Sequence, residues 1–213
     1  CQVVSNTATA GNAARLGVGA SGGGTCQAYL INCLVWANTA TVYNGELASA
    51  AAWGGGTRDG TNENCTIVGN FATACTPTGD GAAYGGGCDG SVSLNSIVWY
   101  NAASDAATRD IGGGACTFTC ASNAPGGVGN FTSAPAFINR FTGNWRLMSN
   151  SPCVDAGINQ PWMSGAADLD GNPRLAGGRV DLGAYEVQAG GGGPGAPDVG
   201  RNGGGCGGGN HPA

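Results

Sequence analysis

Gly54-Gly55-Gly56-Thr57-Arg58-Asp59-Gly60-Thr61-Asn62-Glu63-Asn64 runs directly into Cys65-Thr66-Ile67-Val68-Gly69-Asn70, and both blocks recur on either side. The first returns as Gly22 to Asn32 and as Gly85 to Asn95, each opening on a glycine triplet and closing on asparagine. The second returns as Cys33-Leu34-Val35-Trp36-Ala37-Asn38, as Ser96-Ile97-Val98-Trp99-Tyr100-Asn101, and at the start as Cys1-Gln2-Val3-Val4-Ser5-Asn6. Block starts at 1, 33, 65 and 96 give spacings of 32, 32 and 31. A register held this closely is the mark of stacked structural repeats. A glycine-rich β-sandwich has no reason to keep it.

Each second block reads as a short strand. Its first and third positions (Cys1 and Val3, Cys33 and Val35, Cys65 and Ile67, Ser96 and Val98) share one face and should point inward. The asparagines at 6, 38, 70 and 101 suit corners, where asparagine tolerates left-handed backbone and its amide can reach the next coil. The expectation is an all-β, right-handed parallel β-helix, a β-solenoid with rungs of about 32 residues. An irregular C-terminal cap completes a domain over residues 1–188, and a glycine-rich tail occupies 189–213.

Composition narrows the setting. The chain has 213 residues, 43 of them glycine, and charged residues make up only 10%. All eight basic residues are arginine and the net charge is −5, which excludes a nucleic-acid partner that would need a basic patch. No apolar run approaches the roughly 20 residues of a membrane-spanning helix. No signal peptide is visible before Cys1, so the sequence reads as processed or trimmed. Ten cysteines without zinc-type spacing, and a single histidine at His211, point to disulfides in an oxidising compartment. Stacked coils lie about 4.8 Å apart, within disulfide reach. Cys1, Cys33 and Cys65 share a column, so two can pair and one is left over. Cys88 and Cys116, each after a glycine triplet, are a second candidate pair.

From Cys116 onward a different signature follows. It comprises Phe118-Thr119-Cys120, Val128 to Phe137, Trp145-Arg146-Leu147, Ser151 to Gly157, Asp168 to Arg174 and Val180 to Glu186. This set resembles the end of bacterial extracellular parallel β-helix proteins of the choice-of-anchor Q group. The resemblance covers about residues 1–188. It implies a secreted or cell-surface β-helix with a C-terminal attachment segment, and no particular activity. In that pattern the Cys120 and Cys153 motifs travel together, which implies a bridge between them. The chain departs from the pattern in starting mid-block and in carrying a glycine-rich tail with Cys206.

Catalytic constellations are hard to assemble from these residues. A lyase or hydrolase of the pectin-active type needs clustered carboxylates with lysine, arginine or histidine. Lysine is absent here and His211 lies in the tail. Asp168, Asp170 and Asn172 alternate as calcium ligands do, but they serve equally as a turn whose carboxylates accept backbone N–H groups. No other cofactor is implied. Asn64 and Asn130 stand in glycosylation sequons, with Asn64 also a corner of the repeat. The fourth block position (Val4, Trp36, Val68, Trp99) forms an apolar column facing outward, to be covered by the chain's own loops or by a neighbour. With Cys1 and Cys206 near the two ends, the leading expectation is a non-enzymatic structural subunit that self-assembles head-to-tail into a filament or surface fibre. The alternatives are a monomeric adhesin or glycan-binding stalk, and a polysaccharide lyase or hydrolase.

Overall fold

The computed structural model describes residues 1–11, 18–43, 50–76 and 81–188. It is all-β: parallel strands in stacked sheets, with three short 3-10 turns and no α-helix among the described residues, an arrangement consistent with a β-solenoid.

The four second blocks, as Gln2–Val4, Leu34–Trp36, Thr66–Val68 and Ile97–Trp99, form one five-stranded parallel sheet with Cys120–Ala121 as its fifth strand. Val3 lies beside Val35, Val35 beside Ile67, Ile67 beside Val98 and Val98 beside Ala121. The last pairing joins residues only 23 apart, so the final coil is shorter than the others. A second sheet contains Thr7–Gly11, Thr39–Tyr43, Phe71–Cys75 and Ala102–Ala103, and a third contains Tyr29–Ile31, Thr61–Glu63, Val92–Leu94 and Cys116–Thr117. Two three-stranded sheets complete the coils. One is built from Val18–Ser21, Ala50–Trp53 and Ala82–Tyr84, the other from Thr25–Cys26, Thr57–Arg58 and Cys88–Asp89.

Two cores fill the stack. One gathers Cys33, Val35, Cys65, Ile67, Cys88, Val98, Ile111 and Ala121, as the inward first and third positions require. The other is nearly pure alanine, with Val42 its one larger member, and lies between the second sheet and the strands of Val18–Ser21 and Ala50–Trp53. Alanine loses no side-chain entropy on burial, and its small volume brings the two sheets close.

The corners correct one expectation. Asn38, Asn70 and Asn101 are not themselves left-handed; the residues before them are, with φ +56° at Ala37, +61° at Gly69 and +59° at Tyr100. The chain bends one residue earlier, and each asparagine is left in place to bond along the stack. The left-handed asparagines are instead Asn32, Asn64 and Asn95, at φ +50°, +49° and +49°. Glycine is required in the triplets because coils meet backbone to backbone. A Cβ on Gly55 would lie 2.3 Å from the Phe71 carbonyl oxygen and 2.4 Å from that of Gly86.

Candidate functional site

An asparagine ladder runs up the inside of the corner. The Asn38 carbonyl oxygen Oδ1 accepts from the Asn6 backbone N–H (2.9 Å) and from Asn6 Nδ2 (3.0 Å). Asn70 Oδ1 receives the same pair from Asn38, at 2.9 and 3.0 Å, and Asn101 Oδ1 the same pair from Asn70, again at 2.9 and 3.0 Å. At the top, Asp110 Oδ1 takes both donors of Asn101, at 3.0 and 2.9 Å. Nδ2 of Asn38, Asn70 and Asn101 also donates back to a carbonyl of the preceding coil, Val3 O, Val35 O and Ile67 O in turn. Every asparagine-to-asparagine bond of the ladder runs toward the later coil, so that series has a direction. Asp110 can end it because a carboxylate only accepts. Its other oxygen is occupied by the Ser122 hydroxyl and backbone N–H.

The two ends of the stack therefore differ. The late end is closed over by the residues that follow the last full coil. Asn123 Nδ2 donates to Ala107 O and Ile111 O, Asn130 Oδ1 accepts from Thr119 N, and Phe131 pairs with Cys120. At the early end, Gln2–Val4, Thr7–Gly11 and Tyr29–Ile31 pair on one side only among the described residues, and no described donor reaches Asn6 Oδ1.

From Phe137 the chain returns along the outside of the five-stranded sheet as a strap. The left-handed asparagines are its anchors. Asn32 Nδ2 donates to Ala167 O (3.0 Å), Asn64 Nδ2 to Asp181 O (3.2 Å) and Asn95 Nδ2 to Ile158 O (2.9 Å). Asn95 Oδ1 accepts in turn from Ile158 N at 2.8 Å. Thr66 Oγ1 accepts from Ala184 N, and Trp162 Nε1 donates to Glu63 Oε1 at 2.6 Å. Apolar contact completes the cover, with Leu34, Val68, Ile97, Phe137, Trp145, Leu147, Leu182 and Tyr185 in one cluster. Trp145 meets Trp36 edge-on at 6.0 Å and Phe137 at 5.2 Å between ring centroids.

The strap decides where several expected site residues go. Of the outward column, Val68 is buried under the strap and the half-buried Trp36 and Trp99 pack against the same cluster, while Val4 at the early end is half-buried outside it. Of the calcium candidates, Asp168 Oδ1 accepts the N–H of Asp170 and Asn172, and Asp168 Oδ2 accepts that of Glu186. Asp170 is held at both oxygens by Arg146, at 2.6 and 2.5 Å. These carboxylates organise turns, and no group of three His, Cys, Asp or Glu side chains suited to a metal occurs among the described residues. The Asn64 amide is fully buried, and Asn130 Nδ2 donates to Cys116 O and Pro125 O, so both amides that a glycan would need are already engaged.

Beneath the strap lies a buried charge set drawn from the Asp168–Arg174 and Val180–Glu186 motifs. Arg174 is fully buried; its Nη2 donates to Asp181 O and Gly183 O and stands 3.9 Å from Glu186 Oε2. Asp181 accepts from Asp155 N and Val187 N, both at 2.7 Å. Burial first, and then the Asp181 charge, push the Glu186 carboxyl up to about 7. Burial also raises Asp181.

All nine described cysteines stand as free thiols, and Cys33 with Cys65, Cys88 with Cys116 and Cys120 with Cys153 each fall within one core cluster. The neighbouring Cys65 thiol lowers Cys33 to about 6, while burial pushes Cys65 well up. The Cys120 thiol donates to Ser133 O and is raised by the Cys153 thiol that shares its cluster. Cys88 and Cys116 pack in one core, where burial raises both, Cys116 to about 11. Cys1, Cys26 and Cys75 are exposed. Cys206 lies outside the described residues.

No protein-family model, curated protein or solved structure matches the chain. No helix among the described residues is long and apolar enough to cross a membrane.

Proposed function

We propose that the chain is a non-enzymatic structural element of a bacterial extracellular surface: the capped end of a right-handed β-solenoid, with rungs of about 32 residues, that accepts a further coil at its early edge. The resemblance to choice-of-anchor Q proteins belongs to the same proposal. So do the disulfides Cys33–Cys65, Cys88–Cys116 and Cys120–Cys153, since an oxidising exterior would lock three neighbouring thiol pairs. Right-handedness follows from the strong preference of parallel crossover connections.

The observation that carries the reading is the direction of the ladder. Asn6 Oδ1 is an acceptor facing an edge of unpaired strands, and such edges recruit a matching strand. What fits is a coil whose own corner asparagine donates its N–H and Nδ2, as Asn38 does to Asn70. That coil can belong to the same polypeptide or to another subunit. A head-to-tail fibre of identical chains would need donors at the late end, where Asp110 supplies only an acceptor. A fibre of this kind therefore requires a partner subunit with an asparagine-bearing coil.

The test places a copy of residues 33–64 directly before Cys1, in register. Amides of residues 2–9 should become protected from hydrogen exchange and the Tm should rise. If those amides keep the exchange rates of the unextended chain, the edge does not accept a coil and the reading fails.

A further inference from the structure

The second sheet presents an outward face that neither the strap nor the ladder uses. Its strands alternate threonine outward with alanine inward. Thr9, Thr41 and Thr73 form one cross-strand column, and Thr39 sits beside Phe71 in the next. Tyr43 and Phe71 are 64% and 52% exposed, large aromatic areas for side chains with no ring partner among the described residues. No outward position on these strands carries a charge.

We propose that this face binds an extended, neutral polysaccharide. Strands about 4.8 Å apart and alternate residues about 6.6 Å apart set Phe71 and Tyr43 at roughly 14 Å on the diagonal, with Thr41 and Thr73 between them. Two rings bracketing a row of hydroxyls suit a chain of pyranoses. The rings take the apolar C–H faces of the sugars, as aromatic surfaces take other flat apolar groups. Threonine hydroxyls both donate and accept, so they can meet sugar hydroxyls in either sense. Branching at Cβ holds the threonines in few rotamers, and the alanine core behind them leaves little to reorganise. Little entropy is then lost on binding. The absence of charge on the face matches a neutral ligand and gives a polyuronate or polyphosphate nothing to pair with. A repeating ligand also suits a repeating face, because each added coil would lengthen the array.

The experiment mixes the full chain with microcrystalline cellulose and with crystalline chitin and measures depletion from solution. Tyr43→Ala and Phe71→Ala are compared with the unaltered chain, and circular dichroism checks that each variant is folded. Adsorption to either solid is expected, weakened about tenfold by each substitution and abolished by both together. The proposal is overturned if neither solid depletes the chain, or if folded variants adsorb like the unaltered protein. Binding to polygalacturonate in preference to both solids would also overturn it. So would inhibition of ice recrystallisation that Thr41→Lys removes, in the absence of adsorption, because the threonine array would then be ordering water.

Discussion

Asn70→Ala is the perturbation that tests the ladder most sharply. The Asn70 side chain is fully buried. It accepts two bonds from Asn38 and donates to Val35 O, Val68 O and Asn101 Oδ1 at 3.0, 3.1 and 3.0 Å. Truncation leaves the Asn38 backbone N–H buried without an acceptor, at a cost of about 1–3 kcal/mol. Lost bonds to two carbonyls and the void left by the amide add roughly 2 kcal/mol more. The expected loss of about 3–5 kcal/mol is a large fraction of a typical stability of about 5–15 kcal/mol. Asn6→Ala removes only one side-chain bond, at an exposed position, and should cost about 0.5–1 kcal/mol. Asn70→Asp adds a sign test. A carboxylate there keeps the acceptor but faces three oxygens with no proton to give, so at neutral pH it should be at least as damaging as alanine. Urea unfolding at constant m-value measures all three. If Asn6→Ala and Asn70→Ala differ by less than about 0.5 kcal/mol, or Asn70→Asp is tolerated, the ladder is not the element that joins the coils.

Two further outcomes follow from the buried groups. In chain kept under oxidising conditions, peptide mapping should find Cys120 bonded to Cys153. Cys120→Ser should then cost about 2–4 kcal/mol, near the loop-closure value for a segment of this length, and much less in reductant; a free Cys120 in oxidised material would contradict this. Stability should also fall as pH rises from about 4.5 to about 7. Folded Glu186 titrates near 7 rather than at the ordinary 4.5, so the folded state holds its proton longer, and stability is fully present below the unfolded value. For a group this buried, the difference between about 7 and the ordinary 4.5 corresponds to roughly 3 kcal/mol, or roughly 6–12 °C in Tm. Glu186→Gln should flatten that slope, and an unchanged slope in the variant would assign it to other groups.

Much of the stack was legible because it repeats. Val3, Val35, Ile67 and Val98 are neighbours in the structure as their block positions require. Of the first-position cysteines, Cys33 and Cys65 lie inward where alternation puts them, whereas Cys1 at the early edge is exposed. What escaped was aperiodic. The strap contacts join Asn64 to Asp181 and Asn95 to Ile158, pairs with no shared spacing. The short last coil, with Ile97 beside Cys120, likewise breaks the repeat that would have announced it. One signal was present all the same. Leu34-Val35-Trp36 and Ile97-Val98-Trp99 are apolar at every position, and a strand that does not alternate is buried on both faces. Those runs required a cover, and the recurring asparagines at 32, 64 and 95 marked where it would be tied.

The strap and the ladder complement each other physically. A parallel stack joined only by coil-to-coil bonds can fray from either end, since each coil depends on its neighbours alone. The strap leaves the late end near Phe137 and reaches Asn32, close to the early edge. It therefore crosses three coils and ties each through one asparagine, coupling coils that do not touch. Opening one coil then strains contacts to the others, which raises cooperativity along the rod. Cutting the tie at its centre with Asn64→Ala should therefore separate local from global stability. The Asn64 amide lies between Asn95 Nδ2 and the Asp181 carbonyl, so its loss should raise hydrogen exchange along residues 155–187 more than in the strand Thr66–Val68. Equal increases in both would mean that the strap and the stack are a single unit without a separate tie.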